Sequence, residues 1–274
     1  MTSGKLKGGG VYAFLGVSSP FDPDCTFVTS PALPSFLLAA VRLVIALYTL
    51  FVVLFSLIWG AVKSDDAQTY FSFFTHLSYI GLLAYYWAAG VQTLVYARRG
   101  RYPLRKWYRP LQFLHTLLYS SVTTYPFVVT IAYWGLLTSS STFSSEFSTW
   151  NNISVHAMNS GMALFEILLT NTRPLPWIHL PFTIAFLAGY LAVAYITRAT
   201  QGFYPYPFLD PHIQHAKVAA YVFGIAIAEV IIFTVVHFII RLRIRLSRRR
   251  TPTASPSEAI DDWEEVDRPS DPSV

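Results

Sequence analysis

The sequence predicts an all-α fold, a polytopic membrane bundle of six transmembrane helices. Three observations carry that expectation. Hydrophobic residues make up 53% of the 274-residue chain and charged residues 13%, against roughly a quarter charged in a soluble domain. The apolar residues gather into six stretches close to or above the roughly 20 that a helix needs to cross about 30 Å of hydrocarbon. Lysine and arginine concentrate after the second and sixth stretches, the asymmetry that marks cytosolic loops.

In chain order, residues 1–35 read as a polar cytosolic segment containing Lys5, Lys7 and the single Cys25. It has no compact apolar run ending in a small-residue cleavage site, so the first span is expected to act as an uncleaved signal anchor. A transmembrane domain of residues 36–246 follows, with spans at about 37–62, 70–97, 110–137, 152–172, 175–197 and 217–241. Arg42 lies near the start of the first, from where a long side chain can snorkel to the interface. The second carries no charge from Tyr70 to Ala97. Pro126 in the third lacks an amide hydrogen and is expected to kink it. Ahead of the fourth, Asn152-Ile153-Ser154 is a glycosylation sequon, and Asn151 or Asn152 is alternatively a helix cap. The fourth and sixth contain Glu166 and Glu229, and the fifth lies between Arg173 and Arg198.

The basic loop with Arg98, Arg99, Arg101, Arg105, Lys106 and Arg109, and the exit through Arg241, Arg243, Arg245 and Arg248–Arg250, place both termini in the cytosol. The endoplasmic reticulum or the plasma membrane is the expected location. Partners are membrane lipids, with anionic headgroups at the arginine cluster; no nucleic acid is expected. Residues 247–274 mix proline, serine and acids, and are expected to be a disordered tail. Thr251-Pro252 and Ser255-Pro256 are either phosphorylation sites that would loosen the arginine cluster from lipid, or part of an unmodified solubilising tail. No repeat at a fixed period is visible, which speaks against the inverted-repeat transporters.

Polar groups in hydrocarbon are costly, so those inside the spans are informative. His156, Asn159, Ala163 and Glu166 follow at steps of three, four and three and share one helix face, which must meet protein or trapped water. Thr75 and His156 fall at similar depths, roughly 5–10 Å below the interface away from the arginines. A hydroxyl and an imidazole there can act as nucleophile and base on an acyl group, or merely bond neighbouring helices. The expected polar cavity lies between spans two and four, floored by Glu166 and Glu229. Asp210, His212 and His215 stand at its rim, beside an aromatic loop from Thr200 to Asp210 that is either a lid or an interfacial belt. His76, His115, His179 and His237 show no metal-ligand spacing; neither a metal nor a cofactor is expected.

Phe74-Thr75, His156-Ala157-Met158-Asn159 and the loop Thr200-Gln201-Gly202-Phe203-Tyr204-Pro205-Tyr206-Pro207-Phe208-Leu209 together resemble the androgen-induced / FAR17a-like family of membrane proteins, in its fungal branch, over residues 70–240. The resemblance implies six membrane helices. It also implies an activity, since animal members hydrolyse fatty acid esters of hydroxy fatty acids with an intramembrane threonine and a histidine. Thr75 falls on that threonine. The family's fourth span has two histidines three apart: His156 falls on the first, while the second, taken as catalytic, falls on Asn159, whose amide cannot accept a proton. Either His156 serves as base with Asn159 donating to the oxyanion, or hydrolysis is lost and a lipid pocket remains.

Overall fold

A backbone in hydrocarbon has no water to bond, so helices that satisfy their own amides are the natural solution. The computed structural model describes residues 10–250, and among these the regular structure is helical, with no strand. The eight principal helices are α1 (Ser35–Trp59), α2 (Phe74–Arg99), α3 (Arg109–Val122), α4 (Tyr125–Ala132), α5 (Glu146–Ile153), α6 (Asn159–Leu169), α7 (His179–Gln201) and α8 (Lys217–Arg250). Four of them, α1, α2, α7 and α8, are long and apolar enough to cross a membrane. The acidic tail with its Thr-Pro and Ser-Pro pairs, and Lys5 and Lys7, lie outside the described residues.

The two remaining predicted spans are interrupted. Span three is α3 and α4, and the break lies at Thr123-Thr124, with Pro126 in the first turn of the second helix. Proline supplies no amide to the preceding turn. Hydroxyls add bonds in that turn: Thr123 Oγ1 joins its own amide on the Tyr119 carbonyl, at 2.8 Å, and Thr124 Oγ1 donates to that of Ser120 at 3.1 Å. Span four begins earlier than expected, at Glu146, because Ser145 is the cap, its Oγ accepting the Ser148 amide at 3.1 Å. Neither Asn151 nor Asn152 caps this helix. Between α5 and α6 runs a wide π turn, Ser154–Met158, and Trp134 Nε1 donates to the His156 carbonyl within it at 2.9 Å.

Helix α2 carries the interior stripe Thr75, Tyr79, Leu82, Tyr86, Ala89 and Thr93, all buried, at the steps of four and three that keep one face inward. It packs tightly on α1 at Gly90, where an added Cβ would meet Leu43 Cδ2 at 2.8 Å; small residues of this kind let membrane helices approach. On the other side of α1, Val44, Leu47, Phe51, Leu54 and Ile58 form an exposed apolar stripe. Such a surface is a liability in water and ordinary in lipid.

Arg42 does not snorkel. Its guanidinium is fully buried and grips Glu166 through two bonds, Nε to Oε1 at 2.9 Å and Nη2 to Oε2 at 2.7 Å. Nη1 donates to the Phe27 carbonyl at 2.8 Å and to Thr93 Oγ1 at 2.6 Å, and Tyr85 adds a bond to Glu166 Oε2 at 2.9 Å. Snorkelling would leave Glu166 alone on α6; a bidentate pair with the other donors filled satisfies both charges.

The segment before α1, expected to be merely polar, is a folded cap over this end of the bundle. Val17, Phe21 and Val28 are buried with Tyr102 and Leu104 of the α2–α3 loop. Asp22 gathers the Thr26 amide, the Thr26 hydroxyl, the Phe27 amide and the Tyr102 hydroxyl. Burial, and then the adjacent Asp22 charge, push the Tyr102 phenol above its ordinary pKa, so it remains a donor. Part of the arginine cluster is used internally as well. Arg173 pairs with Asp24 at 2.6 Å, and Arg243 donates to the carbonyls of Ile167 (2.6 Å) and Thr172, closing the C-terminus of α6.

Two outcomes follow for measurement. Arg42→Met or Glu166→Met alone is expected to lower stability by about 3–5 kcal/mol in detergent unfolding, and the two together to recover most of it; additive losses would contradict the pairing. The Asn152 side-chain amide donates to the Thr142 carbonyl at 3.0 Å, so treatment with an N-glycosidase is expected to leave gel mobility unchanged, whereas a shift would show the sequon in use.

Candidate functional site

At the end of the bundle away from the cap, α7 stops at Gly202, whose φ of +83° is the left-handed conformation that glycine adopts freely. The Arg198 side chain donates to the Gly202 carbonyl and lies over the Tyr204 ring at 5.3 Å. The loop then turns inward, burying Phe208 and Leu209 with Tyr190 and Ala194 of α7. Tyr206 stacks on Phe208 at 5.1 Å and meets Phe73 edge-on at 5.8 Å. Of the two readings of this aromatic loop, the structure fits the lid better than the belt.

Beneath the lid is a cavity of about 260 Å³. Its walls come from the start of α2, from α4 and the π turn Tyr133–Leu137, from the middle of α7, from α8, and from Tyr206, Phe208 and Leu209. It therefore lies between α2, α4, α7 and α8 and not between spans two and four. The lining is mostly aliphatic and aromatic, so the expectation of a polar cavity is corrected too. Ala188 of α7 and Phe223 of α8 both line it and are exposed, which gives it a lateral face between those helices.

Thr75 is in the wall, 7% exposed. Its Oγ1 and its backbone amide both lie 3.4 Å from the Tyr206 hydroxyl. The amide belongs to the first turn of α2, where helical partners are missing; the phenol oxygen accepts from it and can pass its own hydrogen to Thr75 or to a guest. Burial pushes the Tyr206 phenol up from its ordinary pKa, which keeps that hydrogen in place.

No hydrogen bond joins Thr75 to His156 or Asn159. The His156 ring lies flat on Tyr133, centroids 3.5 Å apart and planes 5° apart. Since Tyr133 also lines the cavity, its ring covers the imidazole on that side. His156 Nδ1 lies 3.2 Å from the Asn152 carbonyl, which can only accept, so Nδ1 carries the hydrogen. Asn159 is buried in the α4–α6 contact: Oδ1 accepts from the Ser160 amide at 2.7 Å and Thr130 Oγ1 at 3.2 Å, and Nδ2 donates to the Pro126 carbonyl at 3.4 Å. The stripe His156, Asn159, Ala163, Glu166 does face protein throughout. None of the family models, curated proteins or solved structures compared with the chain matches it.

The acidic residues are corrected in turn. Glu166 belongs to Arg42 and floors nothing. Asp210 caps the short helix Pro211–Gln214, accepting the His212 amide at 2.9 Å, and is absent from the walls, as are His212 and His215. Glu229 is buried one turn beyond the wall residues Ile225 and Ala226, its Oε1 accepting from Thr124 Oγ1 at 2.9 Å. Sequence reasoning missed Tyr206, Tyr190 and Tyr133. Tyrosines are frequent in this chain, and only the Tyr-Pro-Tyr-Pro pattern set one of them apart. It also missed His76 as Thr75's neighbour, stacked on Tyr70 at 3.9 Å with Nδ1 2.7 Å from the Tyr70 carbonyl.

Because the Thr75 to Tyr206 contacts are long, Tyr206→Phe is expected to lower stability by only about 0.5–1.5 kcal/mol in detergent unfolding. A loss of several kcal/mol would mean that the hydroxyl pair, and not the aromatic packing, holds the lid.

Proposed function

We propose that this chain is a six-span membrane protein that takes a lipid acyl chain into the cavity beneath the aromatic lid. The observation that carries the reading is the cavity itself: an apolar space within a helical bundle, with hydroxyls at one end and a lateral face between α7 and α8. Lipid-binding sites take this form, mostly apolar with a few convergent polar groups.

Six crossings are supported by what lies together at each end. The N-terminal cap, the α2–α3 loop, the segment after α6 and the late part of α8 share hydrogen bonds at one end. The turns after α1 and α7 meet at the other, where Thr197 Oγ1 bonds Ser72 Oγ at 3.1 Å. That arrangement, with the basic residues at the first end, fits cytosolic termini and a lid on the opposite side. Tags at both termini are expected to be protease-accessible from the cytosolic face; protection of one would contradict six crossings.

A second reading, hydrolysis of a lipid ester, is favoured by Thr75 Oγ1 in the wall beside a phenol, and agrees with the resemblance to the androgen-induced family. In it His156, having left Tyr133, takes the Thr75 proton as Thr75 attacks the ester carbonyl and Tyr206 donates to the oxyanion; the C–O bond to the alcohol breaks, the alcohol leaves with that proton, and water then cleaves the acyl-threonine to free the acid and restore Thr75. The absence of a base bonded to Thr75 makes binding the better-supported function. Val129→Trp, which fills the cavity, is expected to reduce binding of a fluorescent long-chain ester by the purified protein at least tenfold, while Thr75→Ala preserves binding. Turnover of that ester, abolished in Thr75→Ala, would establish the second reading; ester binding unaffected by Val129→Trp would remove the first.

A further inference from the structure

Three of the helices that wall the cavity each place a polar residue about one turn below it. At the N-cap of α4, Thr124 precedes the wall residue Val128 by four positions. On α7, Thr183 precedes the wall residue Leu187 by four. On α8, Glu229 follows Ala226 by three. These residues meet: Thr124 Oγ1 donates to Glu229 Oε1 at 2.9 Å, and the Thr183 hydroxyl lies beside the same carboxyl. The phenol of Tyr125, the other titratable group near it, gives its hydrogen to the Thr183 carbonyl at 2.8 Å. This polar cluster lies just beyond the cavity wall, on the side away from Thr75 and Tyr206, and none of its members lines the cavity itself.

Glu229 is 0% exposed, and no hydrogen bond of ordinary geometry reaches its Oε2. Glu166 shows how this fold treats a carboxylate it keeps for structure: two guanidinium bonds and a phenol. No cation among the described residues bonds Glu229. An unmet buried carboxyl oxygen is costly, and such groups in membrane helices mark functional sites.

We propose that Glu229 is the recognition group for the carboxyl end of a free fatty acid, whose tail lies in the cavity and points toward the lid. The inference rests on the acyl-binding reading above and gives that site a ligand class. A carboxylic acid complements the group atom for atom: one hydroxyl hydrogen is donated to a carbonyl oxygen in each direction, closing a ring through Oε2 and the second lone pair of Oε1. Two carboxyls in contact share at least one proton, so the pairing places no double negative charge in the membrane. An ester has no hydrogen to return and an alcohol offers one oxygen in place of two, so both fit less well. To reach Glu229 the carboxyl must pass Val128, Ile184 and Ala226, none of which carries a polar side chain to hold it earlier.

The test uses the full chain in lipid nanodiscs with tritiated palmitic acid, methyl palmitate and hexadecanol. The acid is expected to bind at least tenfold more tightly than the ester or the alcohol. Glu229→Leu is expected to lower acid affinity to the level of the ester and leave the ester unchanged, and Glu229→Gln, which still donates and accepts, to retain most of the preference. A readout needing no variant is modification of Glu229 by the hydrophobic reagent dicyclohexylcarbodiimide, located by mass spectrometry. Saturating palmitic acid is expected to block it, and methyl palmitate at the same concentration to block it far less. Equal affinity for acid and ester, or undiminished labelling under saturating acid, overturns the assignment. If acid and ester bind equally and Val129→Trp displaces both, the cavity reading survives and only the role of Glu229 falls; if neither binds, both fall.

Discussion

A guanidinium and a carboxylate shut together between helices set the framework of this protein. Arg42 on α1 and Glu166 on α6 lie far apart in the chain, and each alone would be an intolerable charge in an apolar interior. Together, with Thr93 and Tyr85 of α2 and the Phe27 carbonyl of the cap, they tie four segments at one end of the bundle. Among the described residues the other ion pair is the exposed Arg173–Asp24, and solvent reduces such pairs to little.

The opposite end is organised differently. There the contacts are aromatic and hydroxylic, the helices are held by a loop and by long bonds at Thr75, and a cavity remains. The two interruptions fit this division. Around the break before Pro126, the Ser120 carbonyl accepts from Thr124 and the Pro126 carbonyl from Asn159 and Ser160. The π turn through His156 turns that ring onto Tyr133. Irregular backbone is tolerated at membrane depth only when protein groups meet its needs, and these sites meet them with short polar side chains.

Much of the fold was legible because it depends on composition and period. Long apolar stretches gave α1, α2 and α7 to within about four residues, and the start of α8, which runs on past the expected 241 to Arg250; the steps of three and four placed His156, Asn159 and Glu166 on a face that proved to be interior. The pairing of Arg42 with Glu166 was not legible, since nothing local connects residues 124 positions apart; snorkelling was the reasonable local expectation and was wrong. Depth along a helix was readable, but rotation was not. Thr75 and His156 were placed at similar heights, yet Tyr133 from a third helix lies against the histidine. The cavity has walls from α7 and α8, of which only Glu229 on the sixth span was expected to contribute, because which helices are neighbours is decided by packing across the whole bundle.

One end of the bundle is fixed by a buried charge pair, and the space left at the other is, on this account, filled by an acyl chain. Photo-crosslinking tests that most directly, using a palmitoyl chain bearing a diazirine at its middle, irradiated with the protein in native-like lipid and mapped by peptide mass spectrometry. Labelling concentrated on Val129, Leu187 and Val222, competed by excess unlabelled lipid, is the predicted result. Labelling confined to the outward stripe of α1 at Val44, Leu47 and Phe51 would contradict it.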